Sequence, residues 1–291
     1  MTDAQTLTSA LGGRWHGRYG TAPCPICQPE RRRDQDALSL ADGAAGLLAH
    51  CKKSGCGFRD ILTAAGICPG SYRAPDAAVM AQREAERRAD VATRQRKARA
   101  LWSNTQPIGG TLAEAYLRSR GITCLLPATL RFHPACWHSA TGQALPALVA
   151  PVEGGGFAVH RTWLRNDGTG KAAVEPAKAM LGTVAGGAVR LSAGPARLVV
   201  AEGIESALSL LCGLLGKPAT VWAGLSTSGL RGLHLPPTPG LLTVACDGDA
   251  PGRAAALALA ERAHALGWAV ATLDPGNGQD FNDILNRKDA A

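Results

Sequence analysis

The chain has 291 residues, 46% of them hydrophobic, with a formal net charge of +8. That is room for two modest domains with packed cores, or for one with appendages. No apolar run approaches the length of a membrane-spanning helix, and the polar opening MTDAQTLTSALGG lacks the pattern of a secretory leader, so neither a membrane span nor export is expected and a cytoplasmic location is. The basic balance fits a polyanionic partner such as nucleic acid. It is concentrated at residues 83–99, where seven Arg/Lys face three acids, half of the net charge. Nine cysteines in a cytosolic chain argue for a metal site over a disulfide framework.

Four of those cysteines cluster early, as Cys24-Pro-Ile-Cys27 and as Cys51 and Cys56 in HCKKSGCGFRD. Two tight Cys-turn-Cys knuckles supply the four thiolates that a tetrahedral Zn²⁺ takes, and the spacing predicts a zinc ribbon. His50 competes for one ligand place, but a strand turns neighbouring residues to opposite faces, and Cys51 is favoured. With all four positions filled by protein, the zinc is expected to be structural, stapling a unit of about 55 residues with few large apolar side chains. Arg14, Arg18, Arg31, Arg32, Arg33, Lys52, Lys53 and Arg59 surround it and point to nucleic-acid contact. Short strands are expected at Ala37–Leu40 and Gly46–Ala49.

Residues 69–79, PGSYRAPDAAV, read as a linker, and 80–103 as a helix rich in Ala, Arg, Glu and Gln with no Gly or Pro. Little of that helix is apolar, so it is expected to bridge domains or to lie against something acidic. A short helix from Thr111 to Arg118 closes at Gly121. Residues 122–192 alternate apolar runs (Ala147–Ala150, Phe157–His160, Ala188–Leu191) with polar turns, which predicts a small antiparallel sheet. Asn166 to Lys171 ends in GTGK, but the spacing is not that of a phosphate-binding loop and Ala172 stands where Ser or Thr is needed, so a turn bearing a basic residue is expected and no helicase motor.

From residue 197 the rhythm becomes strand, acid, helix. Leu198–Ala201 leads into Glu202-Gly203 and a helix from Glu205 to Leu215. Further strands are expected at Thr220–Ala223, Leu241–Ala245 and Trp268–Leu273, with a helix after Asp249 packed by Ala256, Leu259, Ala260 and Ala263. Alternating strands and helices predict a parallel sheet. Ligands of such sheets gather beyond the carboxyl ends of the strands. Glu202 follows one strand and Asp247 and Asp249 another. If those strands are neighbours, three carboxylates converge and repel unless a cation sits among them, for which hard oxygen ligands select Mg²⁺ or Mn²⁺. Gly203, Gly248 and Gly252 let backbone approach a phosphate. Helix capping is the competing account of the two aspartates, and it needs only one of them.

EGIES at 202–206 and DGDAPG at 247–252 resemble the two acidic motifs of the Toprim domain, shared by bacterial-type DNA primases, topoisomerases and some nucleases. The order of parts is similar to that of bacterial and phage primases. The resemblance implies an α/β fold made of an N-terminal zinc-ribbon domain (1–68), a basic linker and helix (69–109), a small mixed α/β subdomain (110–195) and a Toprim domain with a central parallel sheet (196–291). It implies that Glu202, Asp247 and Asp249 are catalytic and hold Mg²⁺ or Mn²⁺, with Asp280 of GQDFNDIL completing the cluster. Glu205 stands at a second-motif acid. Asn282 stands where the pattern often has Asp, with Asp283 next to it. Within VHRTW and EPAKAML it assigns Arg161 and Lys178 to template and nucleotide, with Arg165 and Lys171 behind them. The activity implied is metal-dependent synthesis of short RNA primers from NTPs on a single-stranded DNA template, for a phage, plasmid or integrated element. Trp15, Tyr19 or Phe58 could stack on template bases, though core packing accounts for each as well. The chain ends soon after the last Toprim element, so a replicative helicase is expected as a separate partner.

Two rival readings remain at this stage. A Toprim nuclease could use the same acids, and a nucleic-acid-binding accessory protein could share the fold. Topoisomerase chemistry is not expected, because none of the three tyrosines (Tyr19, Tyr72, Tyr116) lies near the Toprim half of the sequence.

Overall fold

The computed structural model describes residues 3–32, 34–43, 46–67, 76–195 and 197–288. Arg33, Cys68, Tyr72 and the expected linker up to residue 75 lie outside the described residues. The chain forms two compact units, residues 1–90 and 91–291.

The first unit opens with α1 (Ala4–Ala10), capped by the Asp3 carboxylate, which accepts from the Thr6 N–H at 2.7 Å. Four antiparallel strands follow in sequential order, β1 (Arg14–Trp15), β2 (Tyr19–Ala22), β3 (Leu38–Gly43) and β4 (Gly46–Cys51), then α2 (Phe58–Ala64). Leu7, Leu11, Leu38, Leu40, Leu47 and Ile61 make a small core that includes Cys24 and Cys51. The long helix α3 (Ala77–Ser103) comes next. Arg83 donates to the carboxylates of Asp3 and Asp42 at 3.0 and 3.2 Å, an acidic contact of the kind its composition predicts.

The second unit holds two five-stranded sheets. The first is antiparallel, β5 (Gln106–Pro107), β6 (Arg131–His138), β7 (Gln143–Val152), β8 (Ala158–Trp163) and β9 (Lys178–Gly182), with α4 (Leu112–Ser119) before β6. Strand alternation gives it two dressed faces. Val149, Val159 and Trp163 pack with Ala98, Leu101 and Trp102 of α3, whereas Leu148, Ala150, Val152 and Ala158 face α4 and the second sheet. The expected strand near 188–191 does not join this sheet. As β10 (Val189–Ser192) it pairs antiparallel with β12 (Thr220–Ala223) of the second sheet, because the pairing of Glu153 with Ala188 hands the chain from one sheet to the other.

The second sheet runs β10-β12-β11-β13-β14, built from β11 (Arg197–Ala201), β12 (Thr220–Ala223), β13 (Leu241–Ala245) and β14 (Ala269–Leu273), all parallel apart from β10. Its central strands are buried on both faces, as a parallel sheet covered by helices requires. Val199, Ala201 and Val221 face α4, α5 (Ile204–Ser209) and α8 (Phe281–Lys288). Leu198, Val200 and Val244 face α6 (Thr227–Gly232) and α7 (Ala250–Ala265). The helix expected to reach Leu215 stops at Ser209 and passes into a wider turn over Leu210–Leu214, because Gly213 takes φ 103° and breaks the α-helical ladder. Among the described residues no helix is long and apolar enough to cross a membrane.

Leu208 of α5 is fully buried between the two sheets. Leu208→Ala is expected to cost about 2–5 kcal/mol, the usual loss for a truncated core leucine. The change is read as a lower urea midpoint with an unchanged slope.

Candidate functional site

In the second sheet β11 lies between β12 and β13, so the chain leaves β11 toward one side and β13 toward the other. The crevice between their carboxyl ends is the switch point at which parallel sheets bind ligands. The register sets Ala201 level with Ala245, so Glu202 and Asp247 emerge on adjacent strands at the same end of the sheet. Both carboxyls are pushed up. Burial, then the charges of Asp247 and Asp249, bring Glu202 to about 7. Burial, then the charges of Asp280 and Asp249, bring Asp247 to about 6. Oδ1 of Asp247 is buried without a hydrogen-bond partner.

Asp280 reaches this place through glycine. Gly248 donates to the Gln279 carbonyl at 2.8 Å and accepts from Gly278 N–H at 2.8 Å. A Cβ at Gly248 would overlap the Gly276 carbonyl. The Gly between the two aspartates therefore serves to dock the 276–280 loop, and its backbone is covered rather than open to a phosphate. Gly252 likewise closes on the Asp247 carbonyl, whereas a Cβ at Gly203 would meet only ordinary contacts, the nearest at 3.7 Å.

The other acids are occupied. Asp249 is the N-cap of α7 and accepts from the Gly252 N–H at 2.7 Å, so capping accounts for one of the two aspartates. Asp280 and Asp283 cap α8 reciprocally, each accepting from the other's N–H at 2.9 and 3.0 Å. Asn282 is fully buried and donates to the Arg120 carbonyl at 2.7 Å and to Ser209 Oγ at 3.0 Å, a tie between helices. The acids stand apart from one another: among the described residues only the four cysteines bring three or more ligand atoms within 4.8 Å.

Glu205, at the start of α5, is buried and collects cations. The Tyr116 hydroxyl donates to Oε1 at 2.7 Å, Lys178 Nζ to Oε2 at 3.1 Å, and Lys171 Nζ stands 3.5 Å from Oε1. Burial alone would raise this carboxyl, but the charges of Lys178 and Lys171 and the Tyr116 hydroxyl overcome it and hold Glu205 well below the usual range. Tyr116 is thus beside the Toprim-type acids despite its distance in sequence, a correction to the reading of the tyrosines. It is 1% exposed, and burial and then the charge of Glu205 push its ionisation up.

Lys171 arrives through the 166–171 segment, a turn in which Asp167 accepts from Thr169 N–H at 2.9 Å. Lys178 opens β9 opposite Thr162, so it shares a sheet face with Thr162 and His160. Arg161 points to the other face. It lies 4.8 Å over the Trp163 ring, against Val159 and Trp163, and is not brought to Lys178. Arg165 is exposed and pairs with Asp167 at 3.4 Å. Sequence reasoning passed over Tyr116 and His160. His160 is buried, with Nδ1 unpartnered, and burial and then Lys178 press its pKa down to about 4. The signal for Tyr116 was its place beside Ala113 and Leu117 on one helix face, since a core tyrosine hydroxyl needs a partner.

In the first unit, β4 turns Cys51 inward and leaves His50 exposed. The four sulfurs of Cys24, Cys27, Cys51 and Cys56 lie within 4.8 Å of one another, with Cys27 and Cys51 at 3.6 Å. Tetrahedral Zn–S bonds of ~2.3 Å put sulfurs about 3.8 Å apart, so the cluster could hold zinc. Burial opposes ionisation of Cys51, yet N–H groups of Ser54 and Cys56 bring its thiol down to about 6.

Two outcomes are expected. Purified protein should carry about one zinc per chain by elemental analysis and lose it in Cys56→Ala, which leaves three ligands. In metal-free buffer, the melting temperature of the wild type relative to that of Asp247→Asn should fall as pH rises from about 4 to 7. The raised carboxyl binds a proton in the folded state that the unfolded chain has released at an ordinary carboxylate value, so its contribution to native stability declines across that window. The opposing titrations of His160 and Cys51 are common to both proteins and drop out of the difference. Solvent screening limits the effect to about 1 kcal/mol per group, a few degrees in a chain of this size.

Residues 92–191 match a domain of unknown function (DUF7146), and residues 197–291 match the Toprim domain. No curated protein matches. Among solved structures, a DNA primase domain from Pseudomonas aeruginosa is 19% identical with TM-score 0.34, covering 63% of this chain. The match spans 58% of that structure's length. The zinc-binding and RNA polymerase domains of Aquifex aeolicus primase are 11% identical with TM-score 0.39, over 99% of this chain and 83% of that one. The primase fragment of the bacteriophage T7 primase-helicase protein is 14% identical with TM-score 0.37, over 93% and 96%. The C-terminal third of the chain, with its two acidic motifs on neighbouring parallel strands, is a Toprim domain.

Proposed function

We propose that the chain is a primase-type nucleotidyltransferase that makes short RNA primers from NTPs on single-stranded DNA, in the replication of a phage, plasmid or integrated element and beside a separate helicase. In this reading residues 1–68 are a zinc-binding domain that grips template, 69–109 a basic linker and helix, 110–195 the N-terminal part of the catalytic core and 196–291 the Toprim domain. The observation that carries it is the pairing of two opposite charge sets. Glu202 and Asp247 follow adjacent strands at the same end of the sheet with raised carboxyls, and Lys171 and Lys178 are gathered on Glu205.

The donor set fits a hard divalent cation. Asp247 has a buried, partnerless oxygen, and burial among like charges raises the proton affinity of Glu202 and of Asp247 in a way a cation would reverse. Glu202, Asp247 and Asp249 would hold Mg²⁺ or Mn²⁺, with Asp280 behind them. Bound there, the metal would activate the attacking 3′-hydroxyl and steady the pyrophosphate that leaves. The chain's own groups position the reactants. The Glu202 backbone is fixed by its carbonyl, which accepts from the Leu225 N–H at 2.6 Å. Glu205 holds both lysine ammoniums, each part exposed, where a triphosphate can take them as partners. Arg161 is assigned to the template side, on the opposite face of the antiparallel sheet, and Arg165 to the exposed turn beside Lys171.

The test is primer synthesis on single-stranded DNA with labelled NTPs and Mg²⁺ or Mn²⁺, beside an Asp247→Ala/Asp249→Ala double variant. Short products that vanish in the variant are expected, a loss of at least about 10³-fold for removal of metal ligands. Nicking of DNA without nucleotides would overturn the reading in favour of a Toprim nuclease. DNA binding with neither activity would favour an accessory protein.

A further inference from the structure

A cavity of about 430 Å³ lies in the second unit, lined by Met180 of β9, the 184–187 turn, the 224–229 loop, Gly232 and His234. Its volume is within the ~300–1,000 Å³ range of small-molecule sites. It carries no formal charge. Met180, Val184, Ala185 and Leu225 give apolar surface, and Ser226, Ser228 and His234 give hydroxyls and an imidazole.

The loop that forms one wall is held rigidly. Leu225 takes φ 74°, unusual for a residue with a branched side chain. Its N–H donates to the Glu202 carbonyl at 2.6 Å, and that of Gly224 to the Ala201 carbonyl at 2.9 Å. Ser226 Oγ accepts from the Gly229 N–H at 3.0 Å and lies 3.0 Å from Ser228 Oγ. The opposite wall is fixed by His234, whose backbone N–H donates to the Gly186 carbonyl at 2.9 Å and whose Nδ1 donates to the Gly154 carbonyl at 3.3 Å. That tautomer leaves Nε2 as an acceptor.

The cavity borders the charged centre on two sides. On one side Leu225, which lines the cavity, donates its N–H to the carbonyl of Glu202 itself. Met180 stands two residues from Lys178 on the same face of β9. A neutral, partly apolar chamber with hydroxyl partners, placed beside two acids and two lysines, matches a molecule with a neutral head and an anionic tail.

We propose that this cavity takes the base and ribose of the nucleoside triphosphate whose phosphates lie at Lys171, Lys178 and the acids. The inference rests on the nucleotidyl-transfer reading and adds the seat of the nucleoside to it. Apolar walls cover the base, and Ser226, Ser228 and His234 supply donors and acceptors for its polar edge or for the ribose hydroxyls.

The test separates the two claims. Binding of ATP and of inorganic tripolyphosphate to the full chain is measured by calorimetry with Mn²⁺. Two variants fill the cavity: Gly232→Leu, where a Cβ meets nothing within 4 Å, and Ser228→Phe, at an exposed position. Wild type should bind ATP more tightly than tripolyphosphate. Each filling variant should lose about tenfold or more for ATP while keeping tripolyphosphate affinity, which also shows that it is folded. Unchanged ATP binding in both variants, with Asp247→Ala abolishing ATP and tripolyphosphate alike, would overturn the cavity assignment and leave the charged site standing. Loss of affinity for a single-stranded oligonucleotide with ATP untouched would also overturn it, by giving the cavity to a strand. No binding of either phosphate compound by wild type would sink the underlying reading and the cavity with it.

Discussion

Two carboxylates leave adjacent parallel strands at one end of one sheet, and their burial among like charges is the constraint around which the second unit is arranged. The register of β11 on β13 brings Glu202 and Asp247 into the same crevice. Burial and like charge then make ionisation of both costly. A fold that only needed stability would place apolar residues here, since uncompensated buried acids are a cost. The cost persists because the Gly248 backbone locks the 276–280 loop in place and delivers a further acid, Asp280, to the same region.

The remaining polar groups show what a satisfied site looks like by comparison. Glu205 is more deeply buried than Glu202, yet its carboxyl is held low because two ammoniums and a phenol surround it. Asp249 spends one oxygen on the cap of α7. Asn282 spends both amide hydrogens on a carbonyl and a hydroxyl. Buried polar groups in native proteins are normally paired in this way. Against that background the unpaired Oδ1 of Asp247 and Nδ1 of His160 stand out; the other buried side-chain atoms without a partner among the described residues are the Nε atoms of four arginines. Asp247 and His160 both lie on the side of the unit where Lys178 projects.

Much of this was legible in the sequence because it is local. A strand, an acid and a glycine at the strand's end, and a helix with small residues at its inner face are all written within about 15 residues, and the structure has them where the pattern places them. The paired cysteines were legible for the same reason, since each knuckle is one turn. What was not legible is set by pairing across distance. Nothing in VHRTW says which face of β8 meets the acids, and the period of two sends Arg161 one way and His160 the other. The switch of β10 from the antiparallel sheet to the parallel one depends on the Glu153–Ala188 bridge, which no local pattern announces. The partnership of Tyr116 with Glu205 spans 89 residues.

That long-range partnership also fixes the relation between the two family-matched parts of the chain. Residues 92–191 provide Tyr116, Lys171 and Lys178, and the Toprim domain provides the Glu205 that orders them. Neither set is satisfied alone. Without the lysines Glu205 would be a buried, unpaired anion, the kind of group whose exposure to a low dielectric costs several kcal/mol. Without Glu205 the two ammoniums would repel one another. Leu148, Leu208 and Val221, drawn from both parts, close one continuous core around that charge cluster. Residues 92–191 therefore carry the cationic half of this charge cluster, and their sheet ends, on this side, in lysines that meet Glu205 of the neighbouring domain.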